Sequence, residues 1–318
     1  MVMRTLLKRL AIALGTLLAI SFVIFTILAL APGDPLSEFA NNPAITAEVR
    51  ENIRRSLGLD QPFYLRYVKW LWALGQGNLG YSFTSKSPVL GLIWQRLPTT
   101  LWVVGLAYGL SVAIALPLGI ISALRRNSLL DQLATTFAFL GYSLPTFFTG
   151  LLAIIIFSVK LQWLPSLYNS TLVVNDFQSF WQQIQQSILP ITVLALYQTA
   201  ILTRFVRNAI LEELPQDYVR TAYAKGLGEF AVLRKHILRN ALIPVVTLIA
   251  IDVPSIVTGA LVTEQIFRVP GIGALLIESI NRNDTPVIMG ITIIYAALVV
   301  IFNAIADLSY RFLDPRIK

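Results

Sequence analysis

Long uncharged stretches alternate with short charged ones along this chain, and the stretches have the length of membrane helices. Residues 10–33, 97–124, 132–159 and 285–306 carry no charged side chain. About 20 apolar residues cross a hydrocarbon core about 30 Å thick, so each stretch predicts a span. Two further stretches are less regular. Residues 188–203 are apolar but short, and are extended on their N-terminal side by the polar, glutamine-rich residues 178–187. Residues 241–263 are long enough but hold Asp252 near their middle. Six spans are expected, the fourth the least regular.

Between the spans, the polar segments predict local elements. Pro32-Gly33-Asp34-Pro35 is a rigid turn that ends the first span. Thr46 is placed to cap an amphipathic helix that runs to Leu57 and stops at Gly58. An aromatic-rich helix over Tyr64–Trp72 follows, with Trp70 and Trp72 suited to a membrane interface, and then a glycine-rich loop from Gly75 to Gly80. Residues 32–96 therefore form either a cap packed on the helices or a surface that receives something outside. Residues 160–187, which include Trp181–Gln186, predict an interfacial loop. Leu97-Pro98-Thr99 and Leu144-Pro145-Thr146 echo each other, and each proline predicts a helix entry or a kink.

Lysine and arginine orient the spans. With the N-terminus inside, the inner segments hold Arg4, Lys8 and Arg9, then Arg125 and Arg126, then the basic residues between Arg204 and Arg239, and finally Arg311, Arg316 and Lys318. The short outer segments hold only Lys160, Arg268 and Arg282. Residues 32–96 are also basic, but so long a segment translocates despite its charge. Both termini are thus expected in the cytoplasm. Ala29-Leu30-Ala31 fits a signal-peptide cleavage pattern. The apolar run is longer than such a peptide needs and Pro32 would follow the cut, so we expect an anchored helix.

Composition agrees with the pattern. Of 318 residues, 56% are hydrophobic and 13% charged, against about 25% charged in soluble domains. Mean hydropathy is +0.69. A soluble enzyme and a disordered chain are both excluded. The formal charge of +8 marks cytoplasmic loops and anionic lipid contact before nucleic acid. With no cysteine and one histidine, His236, there is no thiol nucleophile and no multi-histidine metal site. No Gly-Lys pair occurs, so there is no phosphate loop of the Walker A type.

Residues 204–240 carry the most information. Asp217 is placed to cap a helix of about two turns over Tyr218–Lys225, Gly226 can take the left-handed position that ends it, and Gly228 allows a second bend. A basic helix from Glu229 to Asn240 leads on to Pro244. A short helix held out between turns, with basic flanks and a small residue at Ala222, suits a groove in another protein; an ordinary surface loop is the alternative. Asp252, the one carboxylate deep in a span, is expected either on a permeation path with Ser255, contacting an amino group of what passes, or as a packing group bonded to Ser255 or a neighbouring helix. Glu264 and Arg268, one turn apart, predict an i,i+4 ion pair at the outer mouth, with contact to an external protein as a second role.

Several of these motifs together resemble one family. Asp217-Tyr218-Val219-Arg220-Thr221-Ala222-Tyr223-Ala224-Lys225-Gly226-Leu227, followed by Leu238-Arg239-Asn240-Ala241-Leu242-Ile243-Pro244, is similar to the cytoplasmic signature loop of dipeptide/oligopeptide ABC importer permeases. Pro32–Pro35, Leu57–Pro62, Gly77–Ser82, Arg96–Leu101, Pro117–Gly119, Ser143–Pro145, Pro270–Gly273 and Leu313–Arg316 agree with it in the family's order. The chain departs from the general importer signature at Arg220, Thr221 and His236–Arg239, as the peptide branch does.

The resemblance implies an all-α membrane protein with six transmembrane helices in the type I ABC importer permease fold, and a long external segment after helix one. Its parts would be an N-terminal transmembrane helix at 1–31, an external segment at 32–96, and a permease core at 97–318 with the coupling loop at 204–240. It implies a bacterial inner membrane location, a second homologous permease, two ABC ATPases and an external solute-binding protein. ATP and magnesium would be bound by the ATPases, with no cofactor and no catalytic residue in this chain.

Tyr218, Arg220, Thr221, Ala222, Tyr223, Lys225 and Gly226 would couple to the ATPase, with Ala222 and Gly226 allowing close approach. Ala222→Asp should then put a charge into the docking cleft while insertion survives. Glu264 and Arg268 would face the binding protein. The substrate class stays open between peptides and nickel, glutathione or another small solute. An ion-gradient carrier would instead need repeats and paired intramembrane charges, and an intramembrane enzyme a catalytic pair; the sequence offers neither.

Overall fold

The computed structural model describes residues 2–30, 46–56, 58–258 and 260–313. The Pro32–Pro35 turn and the terminal motif from Asp314 onward lie outside them. Twelve helices are followed here. They are α1 (Val2–Leu30), α2 (Ala47–Ser56) and α3 (Phe63–Gly75); α4 (Val89–Leu124), α5 (Leu129–Ser143) and α6 (Thr146–Lys160); α7 (Phe177–Glu213) and α8 (Asp217–Ala224); α9 (Glu229–Ile256); and α10 (Leu261–Phe267), α11 (Ile272–Asn281) and α12 (Thr285–Leu313). Among the described residues there is no strand, only an isolated bridge between Tyr81 and Pro88. Among the described residues five helices are long and apolar enough to span a bilayer, and six if α5 and α6 form one bent span.

The chain divides into two compact units. The first comprises Met1–Pro98 and Ile272–Val300. Within it, the hydroxyls of Ser21 in α1 and Tyr67 in α3 lie 2.9 Å apart, and Phe22 and Phe25 pack on the Tyr67 ring. The buried Asp284 carboxylate, just before α12, accepts hydrogen bonds from Ser82 Oγ at 2.5 Å and from the backbone N–H groups of Phe83 and Thr84. Gly290 lets Val89 press against α12, since a Cβ there would lie 2.5 Å from Val89 Cγ1. Thr46 accepts from Val49 N, so the predicted cap of α2 is present, and Gly58 has φ +65° where that helix was expected to end.

The second unit comprises Thr99–Gly271 and Ile301–Lys318. Its centre is the packing of α4 on α7. Ala107, Ser111, Ala115, Gly119 and Ala123 recur along α4 and are all buried. In lipid, helices gain little from hydrophobicity alone, and small residues let backbones approach. At Gly119 a Cβ would lie 2.8 Å from Val206 and 2.9 Å from the Thr203 carbonyl oxygen, both on α7. A buried cluster then joins Ala123 of α4, Val206 and Ile210 of α7, Val219 and Ala222 of α8, and Ile237 and Val245 of α9.

Several expectations change. The fourth span is the longest helix, 37 residues from a capping box at Asp176 and Ser179. Two of its glutamines are bonded inside the protein: Gln186 Oε1 accepts from Asn169 N at 2.8 Å, and Gln183 donates to the Tyr168 hydroxyl. Trp181–Gln186 therefore belongs to this helix, not to a loop. The two Leu-Pro-Thr echoes differ in structure. Pro98 lies inside α4, ahead of a π-helical turn at Leu101–Gly105. Pro145 separates α5 from α6, which are bent by 100°, with Leu144 extended as a residue before proline prefers. Asp217 is the first residue of α8 and not its cap; Gln216 holds that position without a side-chain bond. The basic helix from Glu229 does not stop at Asn240 but runs into the fifth span as α9.

We expect Gly119→Leu to force α4 off α7 and to lower the thermal midpoint of the detergent-solubilised protein, at a cost of about 1–3 kcal/mol. Gly109→Leu, at a glycine with nothing within 4 Å of its Cβ position, should leave it in place.

Candidate functional site

Three features of the second unit lie along α7. The first is a buried ion pair that the sequence did not single out. Arg207 Nε and Nη2 donate to the two oxygens of Asp131 at 2.7 and 2.9 Å. The same carboxylate accepts from Ser122 Oγ at 2.5 Å and from Asn127 N at 2.9 Å. Asp131 is 3% exposed. Ser128 caps α5 by accepting from Asp131 N, so one carboxylate joins the ends of α4 and α5 to α7. The Ser128-x-x-Asp131 spacing is a capping signature and was the available signal. Arg207 had entered only as one more basic residue.

The second feature is α8, two turns held after the end of α7. Gly226 takes φ +80° and closes the helix as expected, with Gly226 N donating to Tyr223 O and Leu227 N to Ala222 O. Its faces are not those expected. Ala222 is 3% exposed and packs with Val219 into the cluster around Val206 and Ile237. Its small size therefore serves packing within this chain, not entry into a partner's cleft. Ala222→Asp would bury a charge in that cluster, a correction of the expected outcome. Tyr218 is also turned inward. It donates to Glu213, and burial followed by that bond pushes its phenol above the usual range. The outward face consists of Arg220, Thr221, Tyr223, Lys225 and Gly226, with Tyr223 46% exposed. Arg220 meets Asp217 at 3.6 Å at the surface.

The third feature is a pair of cavities. One, of about 270 Å³, is lined by Tyr108, Thr146, Leu194, Tyr197, Gln198 and Ser255 among others. Asp252 is partly buried beside it: its Oδ2 accepts from Gln198 Nε2 at 3.0 Å, and its backbone oxygen from Ser255 Oγ at 2.6 Å. The interhelical bond and the proximity to a cavity thus occur together. The other cavity, about 540 Å³, lies further along α7, lined by Thr135, Phe139, Tyr142, Thr203, Arg204 and Arg207 among others. The rings of Tyr142 and Tyr197, one from each lining, stack with centroids 6.4 Å apart.

Glu264 and Arg268 are not presented together. Glu264 is fully buried, accepts from Thr100 Oγ1 at 3.2 Å, and is covered by Gly271, where a Cβ would lie 2.2 Å from its Oε1. It cannot face an external protein. Arg268 is exposed and ends α10 with φ +54°. Among the described residues no group of three or more metal-ligating side chains occurs.

The comparisons with known proteins are decisive. Residues 115–318 match the binding-protein-dependent transport system inner membrane component, and residues 2–104 its N-terminal companion. The chain belongs to this family. It is a transport subunit and not an enzyme, a multi-pass inner membrane protein that works with ATPase, permease and binding-protein partners. It is 44% identical over 318 residues, 99% of each chain, to a protein of Brucella suis biovar 1 provisionally named a peptide permease. It is 42% identical over 312 residues, 98% of each, to the oligopeptide transport system permease protein AppB of Bacillus subtilis. Two solved permease structures share the fold. For the inward-facing MetNI methionine ABC transporter the TM-score is 0.54, at 19% identity, over 71% of this chain and 97% of that one. For an amino acid ABC transporter solved with histidines it is 0.51, at 15% identity, over 70% and 94%.

For this permease we expect Arg207→Ala to strand a buried carboxylate and to lower the unfolding free energy by about 3–5 kcal/mol. Adding Asp131→Asn should recover part of that loss in the same chemical-denaturation series.

Proposed function

We propose that this permease forms half of the translocation path of an ATP-driven importer for di- and oligopeptides. In this reading it pairs with a second homologous permease, binds two ABC ATPases through its cytoplasmic face, and receives peptide from an external solute-binding protein. Both termini lie in the cytoplasm, as the distribution of basic residues requires. The chain has no phosphate loop of its own, so ATP and magnesium are held by the ATPases and the energy reaches it mechanically. The names of the peptide and oligopeptide permeases that it resembles at 42–44% identity support the substrate class.

The outward face of α8 is the observation that carries the coupling part. Arg220, Thr221, Tyr223, Lys225 and Gly226 offer an aromatic ring, two cations and a bare turn to a partner, while Tyr218, Val219 and Ala222 fasten the helix to α7 and α9. A push on α8 is then passed to the two spans as a rigid-body movement. Asp252 and Ser255 belong to the path, and the exposed Arg268, without Glu264, to the contact with the binding protein.

The importer reconstituted with its ATPases and binding protein should take up radiolabelled tripeptide in a vanadate-sensitive manner, and this permease alone should take up none. Tyr223→Ala should reduce uptake about tenfold or more, as loss of an aromatic anchor does at a docking surface, with the amount of folded permease unchanged. Ala222→Asp should instead reduce the amount of folded protein, read by size-exclusion chromatography in detergent. Equal yields for Ala222→Asp and wild type, or full uptake by Tyr223→Ala, would contradict the assignment of the two faces.

A further inference from the structure

The two cavities beside α7 differ in charge, and their order along that helix gives the path a direction. Leu194, Tyr197 and Gln198 line the first, and Ala200, Thr203, Arg204 and Asn208 line the second. Gln198 and Arg204 are therefore about 9 Å apart along the axis. The second cavity is the nearer to Glu213 and α8, which places it on the cytoplasmic side.

Next to the first cavity stands the carboxyl group of Asp252, a residue bonded to Gln198 and Ser255 of the lining. Gln198 satisfies its Oδ2, and Oδ1 takes no hydrogen bond among the described residues. The second cavity has cations in its own lining. Arg207 is neutralised by Asp131, but Arg204 is exposed and has no carboxylate partner among the described residues. Thr203, 3% exposed, also lines this cavity, and its hydroxyl is buried with no partner. An anion at Arg204 would give that hydroxyl an acceptor. The stacked rings of Tyr142 and Tyr197 stand between the two linings.

A tripeptide carries an ammonium at one end and a carboxylate at the other, and in extended form covers about 10 Å, at 3.3 Å per residue. We infer that peptides pass this permease carboxylate first, with Arg204 and Thr203 receiving the leading carboxylate while Asp252, held by Gln198, retains the trailing ammonium. The inference rests on the peptide reading of the substrate and adds to it an orientation and the residues that read each end. The rings of Tyr142 and Tyr197 have to part as the chain moves between the cavities.

The test uses the complete importer in proteoliposomes and two photoreactive tripeptides, with a diazirine side chain at the first or at the last residue. Each is trapped with vanadate during uptake, irradiated, and mapped by mass spectrometry. The C-terminal probe should label 200–208 and the N-terminal probe 194–198 or 252–256. In addition, Arg204→Gln should reduce uptake of the free tripeptide about tenfold, the usual loss for one hydrogen bond to a charged group. Uptake of its C-terminal amide, normalised to wild type, should be unchanged.

Reversed labelling, or equal loss of both peptides in Arg204→Gln, overturns the orientation. Uptake with no label at either set of residues overturns the placement of the path. Failure of the wild-type importer to accumulate any tripeptide overturns the substrate reading itself, a result distinct from the other two because it appears before irradiation.

Discussion

A single carboxylate, that of Asp131, holds three helices in register where α4 gives way to α5. It accepts a two-pronged bond from Arg207 of α7, a hydroxyl from Ser122 of α4, and a backbone N–H from Asn127 in the turn before its own helix. A buried pair of this kind adds little stability over a well-packed apolar group, but it tolerates only one geometry. That geometry fixes the position of α7 against α4 and α5 about two turns before α7 ends. The stripe of small residues on α4 works with it. Gly119 and its neighbours bring the α4 backbone against Val206 and Thr203, within one turn of Arg207, so that the ion pair and the closest helix approach constrain the same stretch of α7.

From this anchored end the structure passes outward to α8. That helix is too short to be stable by itself. It keeps its shape because Val219 and Ala222 are buried in the cluster shared by α4, α7 and α9, because Tyr218 bonds to Glu213, and because Gly226 ends it in a left-handed turn. Its exposed side is consequently a stiff ridge of charged and aromatic side chains.

Most of the architecture was legible in the sequence because membrane spans announce themselves by length and lack of charge. The turn at Gly226, the cap at Thr46 and the join of α9 to the fifth span could be read or nearly read from local residue types. The less legible elements depended on tertiary partners. The glutamines at the start of α7 looked unsuited to a span, yet Gln183 and Gln186 bond to each other, to Tyr168 and to Asn169, while Gln178 and Gln182 are exposed. Asp131 and Arg207 lie far apart in sequence, and nothing local pairs them. Ala222 was recognisable as a required small residue, but whether a small residue faces its own chain or a partner is decided by packing, which spacing does not encode. Glu264 was read with Arg268 from helical spacing. Its real neighbours, Thr100 and Gly271, come from a distant helix and from the turn beyond α10.

The length of α7 has a mechanical consequence. Its 37 residues make a rod that is about 55 Å long at 1.5 Å per residue, well beyond the thickness of the hydrocarbon core. Tilting a rod of that size by about 5° about one end sweeps the other through about 5 Å, close to one helical turn. Rotations too small to disturb local packing at one end can therefore appear at the other as steps the size of an amino-acid side chain.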